Sequence, residues 1–498
     1  MTPVTRLGAR DLLDTVLDPG SWQSWDVTAQ QVAVPGSPYA EELVAAEAKA
    51  GTDEALITGQ GRLRGRKVAV IVGEFRFLAG STGHAATERL VLAVERATRE
   101  GLPLIGAPAS GGTRMQEGTN AFVGMVKTSA AVAAHKEAGL PYLVYLRHHT
   151  TGGVLASWGS LGHVTVAEPG ALIGFLGPRV YQALYGAQLP AGVQVSENLY
   201  DRGLVDAVLP VDELAEVAAR ALNVLMAPRE VLPEVPQLPH ETLPEVPAWE
   251  SITRSRRAER PGVRTLLKLG ATDVVHLHGT GQGEQDWALL IALARFGGAP
   301  CLVLGQDRRY QSLESPLGPA GLREARRGMR LARELKLPLV SIIDTAGAAL
   351  SKEAEEGGIA GEIARCLSEL VMLDAPTLCV LLGQGTGGGA LALMPADRVI
   401  CAQHSWLSPL PPEGASAILY RDTDHAPELA TSQGVRSADL LRDGIVDRIV
   451  AEHPDAADEP AAFCARMTQV LAHELGMLLR ADPAKRLAAR MARYRRLG

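Results

Sequence analysis

Thr151-Gly152-Gly153-Val154-Leu155-Ala156 and Gly387-Gly388-Gly389-Ala390-Leu391-Ala392 each follow a short apolar run, Leu143-Val144-Tyr145-Leu146 and Leu378-Cys379-Val380-Leu381-Leu382 respectively. Apolar runs of this length, bounded by glycine, read as buried strands. The glycines then open a helix. Upstream of the first turn lie Leu102-Pro103-Leu104-Ile105 and Ser110-Gly111-Gly112; upstream of the second lie Leu337-Pro338-Leu339-Val340 and Asp344-Thr345-Ala346-Gly347. Pro103 precedes Gly152 by 49 residues and Pro338 precedes Gly388 by 50. Downstream, Arg202-Gly203-Leu204-Val205-Asp206 is echoed by Asp443-Gly444-Ile445-Val446-Asp447. One order of parts, used twice, predicts two copies of one fold.

Further strands are expected at Val68-Ala69-Val70-Ile71-Val72 and Val340-Ser341-Ile342-Ile343, and amphipathic helices over 87–100 and 320–335. Strand, glycine turn and helix in repetition make an α/β fold whose helices cover the sheets. Between the halves, Pro228, Pro233, Pro236, Pro239, Pro244 and Pro247 recur among Glu, Val and Leu. Proline removes backbone donors and favours extended chain, so 227–250 reads as a semi-rigid linker between a domain over 1–226 and another over 251–498.

The 498 residues suggest two to four domains, and 46% hydrophobic with 21% charged residues excludes a disordered or fibrous chain. A net charge of −7 argues against a general nucleic-acid binder. Cys301, Cys366, Cys379, Cys401 and Cys464 are odd in number and form no C-x-x-C pair, the pattern of reduced, buried thiols in a cytoplasmic protein. Met1-Thr2-Pro3-Val4-Thr5-Arg6 leads into charged residues, so no signal peptide is expected. The uncharged stretch 375–396 is long enough for a membrane span, but its centre, Gly383 to Gly389, is too polar and glycine-rich. It reads as a strand running into a helix. The basic stretch 482–498, with Lys485, Arg486, Arg490, Arg493, Arg495 and Arg496, reads as a solvated terminal helix, or as a contact for a partner or for ligand phosphates.

The excess of glycine, 52 residues against 21 aromatics, points to tight turns and to places where backbone comes close to something else. At a helix start the first N–H groups have no partner within the helix, and without side chains an oxygen can reach them. Such a turn holds a phosphate or an oxyanion. Gly383-Gln384-Gly385-Thr386-Gly387-Gly388 fits G-x-G-x-x-G, yet no acidic residue follows about 20 positions on, and His149-Thr150-Thr151-Gly152-Gly153 lacks the fingerprint. A Walker loop, a G-x-S-x-G elbow and H-E-x-x-H are all missing, and His148-His149 adjoin rather than forming an i, i+4 ligand pair. Glu117, Glu168 and Glu413 read as turn caps or solvent-facing carboxylates. Chemistry carried by backbone donors remains.

Ser110-Gly111-Gly112-Thr113-Arg114-Met115-Gln116-Glu117, Lys127-Thr128-Ser129-Ala130-Ala131, Thr151-Gly152-Gly153-Val154, and Ala167 to Phe175 with Gly177-Pro178-Arg179 resemble the carboxyltransferase β subunit of bacterial acetyl-CoA carboxylase. Ile343 to Ala348, Gly383 to Leu393, Pro412 to Leu419 and the ending Arg493-Tyr494-Arg495-Arg496-Leu497 are similar to its α subunit. The resemblance implies two crotonase-like domains in tandem, of β type and then α type. It implies transfer of a carboxyl group from carboxybiotin to the α-carbon of an acyl-CoA, acetyl-CoA or a homologue. Two oxyanions develop in that reaction, on the thioester enolate and on the biotin ureido group, and the sequence has two glycine turns. An oxyanion-hole donor can contribute about 2.7–4 kcal/mol.

By similarity, Gly152 and Gly153 serve the enolate, while Gly388 and Gly389 serve biotin, Gly387 replacing one of these on a one-residue slip. Gly111, Gly112 and Gly347 belong to the ligand-binding loops, and Arg114 and Lys127 are expected at CoA phosphates. With no biotin-attachment Met-Lys-Met and no ATP-binding carboxylase domain in the sequence, the resemblance implies a separate biotin carboxyl carrier protein and biotin carboxylase. It also implies a homodimer or larger ring, whose sites join the β-type half of one copy to the α-type half of another.

This chain departs from the family in three places. No cysteine precedes Cys301, so the zinc ribbon of bacterial β subunits is missing and no metal is expected. Ala346 and Ala349 replace the usual proline and tyrosine of the α-type loop, and residues 255–314 match only loosely. A malonyl or methylmalonyl thioester decarboxylase of the same superfamily, and a non-catalytic assembly subunit, are the alternative readings.

Overall fold

All four apolar runs are strands in the computed structural model, which describes residues 6–228, 234–239, 242–312 and 315–496. The start Met1 to Thr5, linker residues 229–233 and 240–241, and Leu497 lie outside the described residues. The chain divides into two compact units, Met1–Met226 with Gly281–Gly283, and Ala227–Thr280 with Glu284–Gly498.

The first unit contains β1 (Gln23–Ser24), β2 (Leu56–Leu63), β3 (Arg66–Gly73), β4 (Leu104–Ala107), β5 (Tyr142–Leu146), β6 (Thr150–Thr151), β7 (Val164–Ala167), β8 (Ile173–Gly174) and β9 (Ala207–Val208). Its main sheet runs β1-β2-β3-β4-β5-β7-β9, antiparallel as far as β3 and parallel beyond it. Parallel neighbours need crossovers. Helices His84–Arg99 and Gly118–Glu137 supply them on either side of β4.

The second unit contains β10 (Thr272–Leu277), β11 (Leu289–Phe296), β12 (Ala299–Gln306), β13 (Leu339–Thr345), β14 (Thr377–Thr386), β15 (Arg398–Ala402), β16 (Trp406–Ser408) and β17 (Arg448–Val450). Its order, β10-β11-β12-β13-β14-β15-β17, repeats the first, again antiparallel for three strands and parallel thereafter. Helices Pro319–Glu334 and Ile359–Val371 are its crossovers. The loosely matching segment 255–314 thus supplies the three antiparallel strands. The first sheet is packed by an apolar core that includes Leu90, Ala93 and Val94 of crossover helix His84–Arg99, which contacts β2 and β3. Helix Pro460–Arg480 brings Phe463, Met467 and Leu471 onto the second.

The registers align the halves residue by residue. Ala69 pairs with Leu104 and Leu104 with Tyr142; Leu302 pairs with Leu339 and Leu339 with Thr377. Thr151 pairs with Gly174 across β6 and β8, as Thr386 pairs with Ser408 across β14 and β16. Thr151 therefore corresponds to Thr386, Gly152 to Gly387 and Gly153 to Gly388. The residue equivalent to Gly152 is one position earlier than the sequence spacing suggested, and Pro338 precedes it by the same 49 residues that separate Pro103 from Gly152.

Linker residues 234–239 and 242–247 carry no regular structure, while 248–250 already belong to helix Ala248–Ser255. The linker is fastened to the second unit, where His473 Nδ1 lies 2.9 Å from the Pro236 carbonyl and Arg436 donates to the Val246 carbonyl at 2.8 Å. Residues 375–396 span β14 and helix Gly387–Leu391, and among the described residues no helix is long and apolar enough to cross a membrane. All five cysteines are buried and free, and burial pushes the Cys366 thiol up to about 12.

The basic C-terminal stretch is not a solvated helix. In Pro483–Arg495, Arg490 is fully buried; it grips both Asp397 carboxylate oxygens at 2.8 and 2.7 Å and donates to the carbonyls of Leu373 and Ala375. Arg486 reaches the same carboxylate at 3.2 Å, and Arg493 pairs with Asp447 at 2.6 Å. These three arginines fall on one face and clamp the helix to the sheet. Arg490→Met is expected to destabilise the second unit by about 3–5 kcal/mol, because a buried carboxylate loses its main partner. Lys485→Met, at an exposed position, is expected to leave the urea midpoint unchanged.

Candidate oxyanion-binding turns

In the first unit, β4 ends in the loop Pro108 to Arg114, which lies against the start of helix Gly152–Leu155. Ser110 builds this loop: its hydroxyl accepts the Gly112 N–H at 3.0 Å and donates to the Gly80 carbonyl at 2.5 Å. Gly111 N–H is spent on the Ala79 carbonyl at 2.8 Å. Gly112 at φ +110° and Gly152 at φ +63° occupy the left-handed side of backbone space, where a side chain is strained. They also touch, since a Cβ on Gly152 would lie 3.2 Å from the Gly112 Cα.

The second unit repeats this arrangement. Thr345 takes the place of Ser110, its hydroxyl accepting the Gly347 N–H at 3.1 Å, and Gly347 at φ +138° stands where Gly112 does. Gly387 has the φ of Gly152, +63°. A Cβ on Gly389 would lie 3.2 Å from the Ala348 nitrogen, so the loop after β13 packs on the start of helix Gly387–Leu391.

The available donors follow from helix geometry. Gly152 N–H goes to the Phe175 carbonyl at 3.0 Å, and Ala156 N–H returns to the Gly152 carbonyl. Gly153 N–H falls between them in the first turn, before the helix supplies acceptors. Ala392 N–H returns to the Gly388 carbonyl, which leaves Gly388 N–H in the first turn of its own helix. Gly152, Gly153, Gly387 and Gly388 are all half-buried, whereas Val154 and Gly389 are buried. The equivalent pairs are thus Gly152–Gly153 and Gly387–Gly388, and Gly389, one of the two glycines expected from sequence, is buried one position further along. Its absent side chain makes room for Ala348.

The apparent dinucleotide motif has a structural explanation. Gly383 and Gly385 lie within β14, where side chains would collide with the Asp344 carboxylate and the Trp406 carbonyl respectively. Burial pushes the Asp344 carboxyl above its ordinary value, against the pull of Arg308.

Arg114 and Lys127 part company. Arg114 is fully buried, paired with Glu54 and with Glu117 at 3.3 Å, and donates to the Ser81 carbonyl at 2.7 Å. Its guanidinium is consumed inside the unit, so it offers nothing to a CoA phosphate. Lys127 stays half-exposed on helix Gly118–Glu137, paired with Glu88 at 2.7 Å. No motif marks Lys49 and Arg76, which are exposed around a cavity of about 370 Å³ that also includes Glu42, Phe75, Leu78 and Ala79, Arg76 pairing with Glu74 at 3.4 Å. Ala79 is the residue whose carbonyl holds Gly111, so the cavity borders the first turn. Glu117 is not solvent-facing; it caps helix His84–Arg99 through His84 N–H at 2.5 Å. Glu168 holds His148 N–H and Arg6, and Glu413 holds Arg256. Among the described residues, no group of three or more His, Cys, Asp and Glu side chains is placed to hold a metal ion.

Comparison with known proteins agrees with a carboxyl-transfer scaffold. The family model described as the carboxyl transferase domain matches residues 4–486. The probable biotin-dependent acyl-coenzyme A carboxylase beta3 subunit of Mycobacterium tuberculosis is 60% identical over 99% of both chains. The acetyl-coenzyme A carboxylase carboxyl transferase subunits beta/alpha of Salinispora arenicola are 38% identical, over 99% of this chain and 91% of that protein. In fold, the chain matches a crystal structure of transcarboxylase 12S with methylmalonyl-coenzyme A and methylmalonic acid bound, at a TM-score of 0.76 and 21% identity, covering 96% of this chain and 91% of the other. The duplicated sheet, the paired turns and the full-length match to these relatives place this chain in the carboxyl transferase domain family of biotin-dependent acyl-CoA carboxylase β subunits.

Proposed function

We propose that the chain moves a carboxyl group from carboxybiotin, borne on a separate carrier protein charged by a separate biotin carboxylase, to the α-carbon of acetyl-CoA or another short acyl-CoA, giving malonyl-CoA or a homologue, with the displaced α-proton passing to the biotin ureido nitrogen that gave up the carboxyl group. The observation that carries this reading is the pair of equivalent, half-buried glycine turns. Bound carboxybiotin supplies the carboxyl group. The chain itself contributes placement and charge stabilisation. Gly153 N–H, presented by the Gly152 turn, receives the enolate oxygen of the thioester, and Gly388 N–H, presented by the Gly387 turn, receives the ureido oxygen. In the second turn protein atoms already crowd the places a Cβ would take, one on Gly388 lying 2.7 Å from Ile363 Cδ1 and one on Gly387 3.2 Å from the Pro409 carbonyl, so the turn is kept as bare backbone whose N–H groups no side chain shields.

The CoA phosphates fall to Lys49 and Arg76 beside the first turn. The two halves act as β-type and α-type crotonase-like domains, the chain works as a homo-oligomer, and its five buried thiols suit the cytoplasm. The test combines the purified chain with carboxylated carrier and a panel of acyl-CoAs, following labelled carboxylate. Transfer to an acyl-CoA is expected. Loss of carboxylate from a malonyl-type thioester without biotin, or tight carrier binding without transfer, would overturn the reading. The double variant Lys49→Ala/Arg76→Ala is expected to raise KM for the acyl-CoA about tenfold with kcat nearly constant, the signature of lost uniform binding.

A further inference from the structure

The two turns are equivalent in backbone, yet what stands behind them differs. The last residue of β3 is Gly73 and the equivalent last residue of β12 is Gln306, as their partners Leu56 and Leu289 show. At Gly73 the strand runs directly against the next loop, since a Cβ there would lie 2.6 Å from the Ala109 nitrogen. In the second unit Asp344 occupies the place of Ala109, and the Gln306 side chain fills the space between.

Gln306 is fully buried, and both ends of its amide are engaged. Its Oε1 accepts the Asp344 N–H at 3.1 Å and its Nε2 donates to the Gly389 carbonyl at 2.7 Å. One partner begins the loop that carries Gly347; the other is the residue after Gly388. A buried amide without partners is costly, so the pair of bonds holds its geometry firmly. Gln311 reinforces the same loop by donating to the Asp344 carbonyl at 3.1 Å and accepting the Thr345 hydroxyl at 2.6 Å.

We propose that Gln306 is a positioning residue for the second turn, fixing the separation between the Asp344–Ala348 loop and the start of helix Gly387–Leu391, and with it the direction of Gly388 N–H. It touches no substrate and acts through the two backbones it bridges. This assignment rests on the functional reading above for its catalytic consequence, and on geometry alone for the clamp. The first turn needs no such residue, because Gly73 lets the backbones meet directly.

The test uses Gln306→Met, which keeps the volume and loses both bonds, and Gln306→Asn, whose shorter amide reaches one partner only. With free biotin as carboxyl acceptor from malonyl-CoA, Gln306→Met is expected to raise KM for biotin about tenfold and lower kcat at least tenfold, with Gln306→Asn between it and the parent. Calorimetric affinity for acetyl-CoA is expected to stay within twofold, which also shows that the variants fold. Hydrogen exchange of amides 385–391 is expected to quicken at least tenfold while that of 150–156 is unchanged. Exchange at 385–391 and KM for biotin both within twofold of the parent would overturn the proposal, as would equal loosening of both turns. A parent chain that transfers no carboxyl group overturns the functional reading, and the exchange measurement still decides whether the clamp exists.

Discussion

On the proposed assignment, Gly153→Val and Gly388→Val are each expected to lower kcat for carboxyl transfer at least about a hundredfold, because the branched side chain displaces the N–H from the oxyanion it serves, and an oxyanion-hole donor out of place costs about that much. At Gly153 the added carbons run into the Met125 thioether, and at Gly388 into Ile363 Cδ1. Both obstacles are flexible side-chain ends, so the protein folds and the damage stays local. On the proposed assignment the two variants are expected to separate the half-reactions, Gly153→Val weakening acyl-CoA turnover and Gly388→Val weakening use of the biotin substrate. Gly389→Val is a different experiment. Its side chain would push on the Ala348 backbone, so its first effect is on stability, read as a lowered urea midpoint. Single-turnover assays with each half-substrate in excess check the assignment, and unchanged transfer in a folded Gly153→Val or Gly388→Val protein overturns it.

Arg114→Met destabilises the first unit by about 3–5 kcal/mol, as breaking a buried ion pair from one side does. Glu54 is fully buried and Glu117 nearly so, and Arg114 is the cation between them. Tyr39 joins the cluster through Glu117 at 2.5 Å, and burial together with that carboxylate pushes its hydroxyl up to about 12. Removing the guanidinium strands two carboxylates and frees the Ser81 to Glu117 corner. Lys127→Met, which breaks an exposed pair, costs less than about 1 kcal/mol. Urea unfolding of the two variants side by side checks the contrast. Equal, small effects would mean that Arg114 is as dispensable as a surface residue.

The duplicated order of strand, glycine turn and helix was legible in the sequence because apolar runs and glycines report burial and close approach directly. The one-residue register was not. Val154-Leu155-Ala156 and Ala390-Leu391-Ala392 invite an alignment of Gly152 with Gly388, and three glycines in a row offer no side chain to correct it. Strand pairing and the shared φ of Gly152 and Gly387 do correct it. Arg114 misled for another reason: its partner Glu54 is sixty residues away, and a motif carries no information about what lies behind it. The basic C-terminal run held a usable signal. Arg486, Arg490 and Arg493 are spaced at i, i+4 and i+7, the stripe of a helix face that packs, whereas a solvated helix spreads its charges around. Gln306 left no trace, because a lone glutamine at a strand end gains meaning only from the two backbones it joins.

The path into each turn differs in continuity. In the second unit β14 is one ten-residue strand, running from the centre of the sheet to the residue before Gly387. In the first, β5 stops at Leu146 and β6 resumes at Thr150, with Arg147 to His149 held by side chains and loops in between. A strand laddered on both sides opens only with its sheet, while an interrupted one can flex on its own. The second turn is therefore expected to open only with its sheet, whereas the first hangs on a ladder of its own, β6 with β8, whose opening is that of a smaller unit.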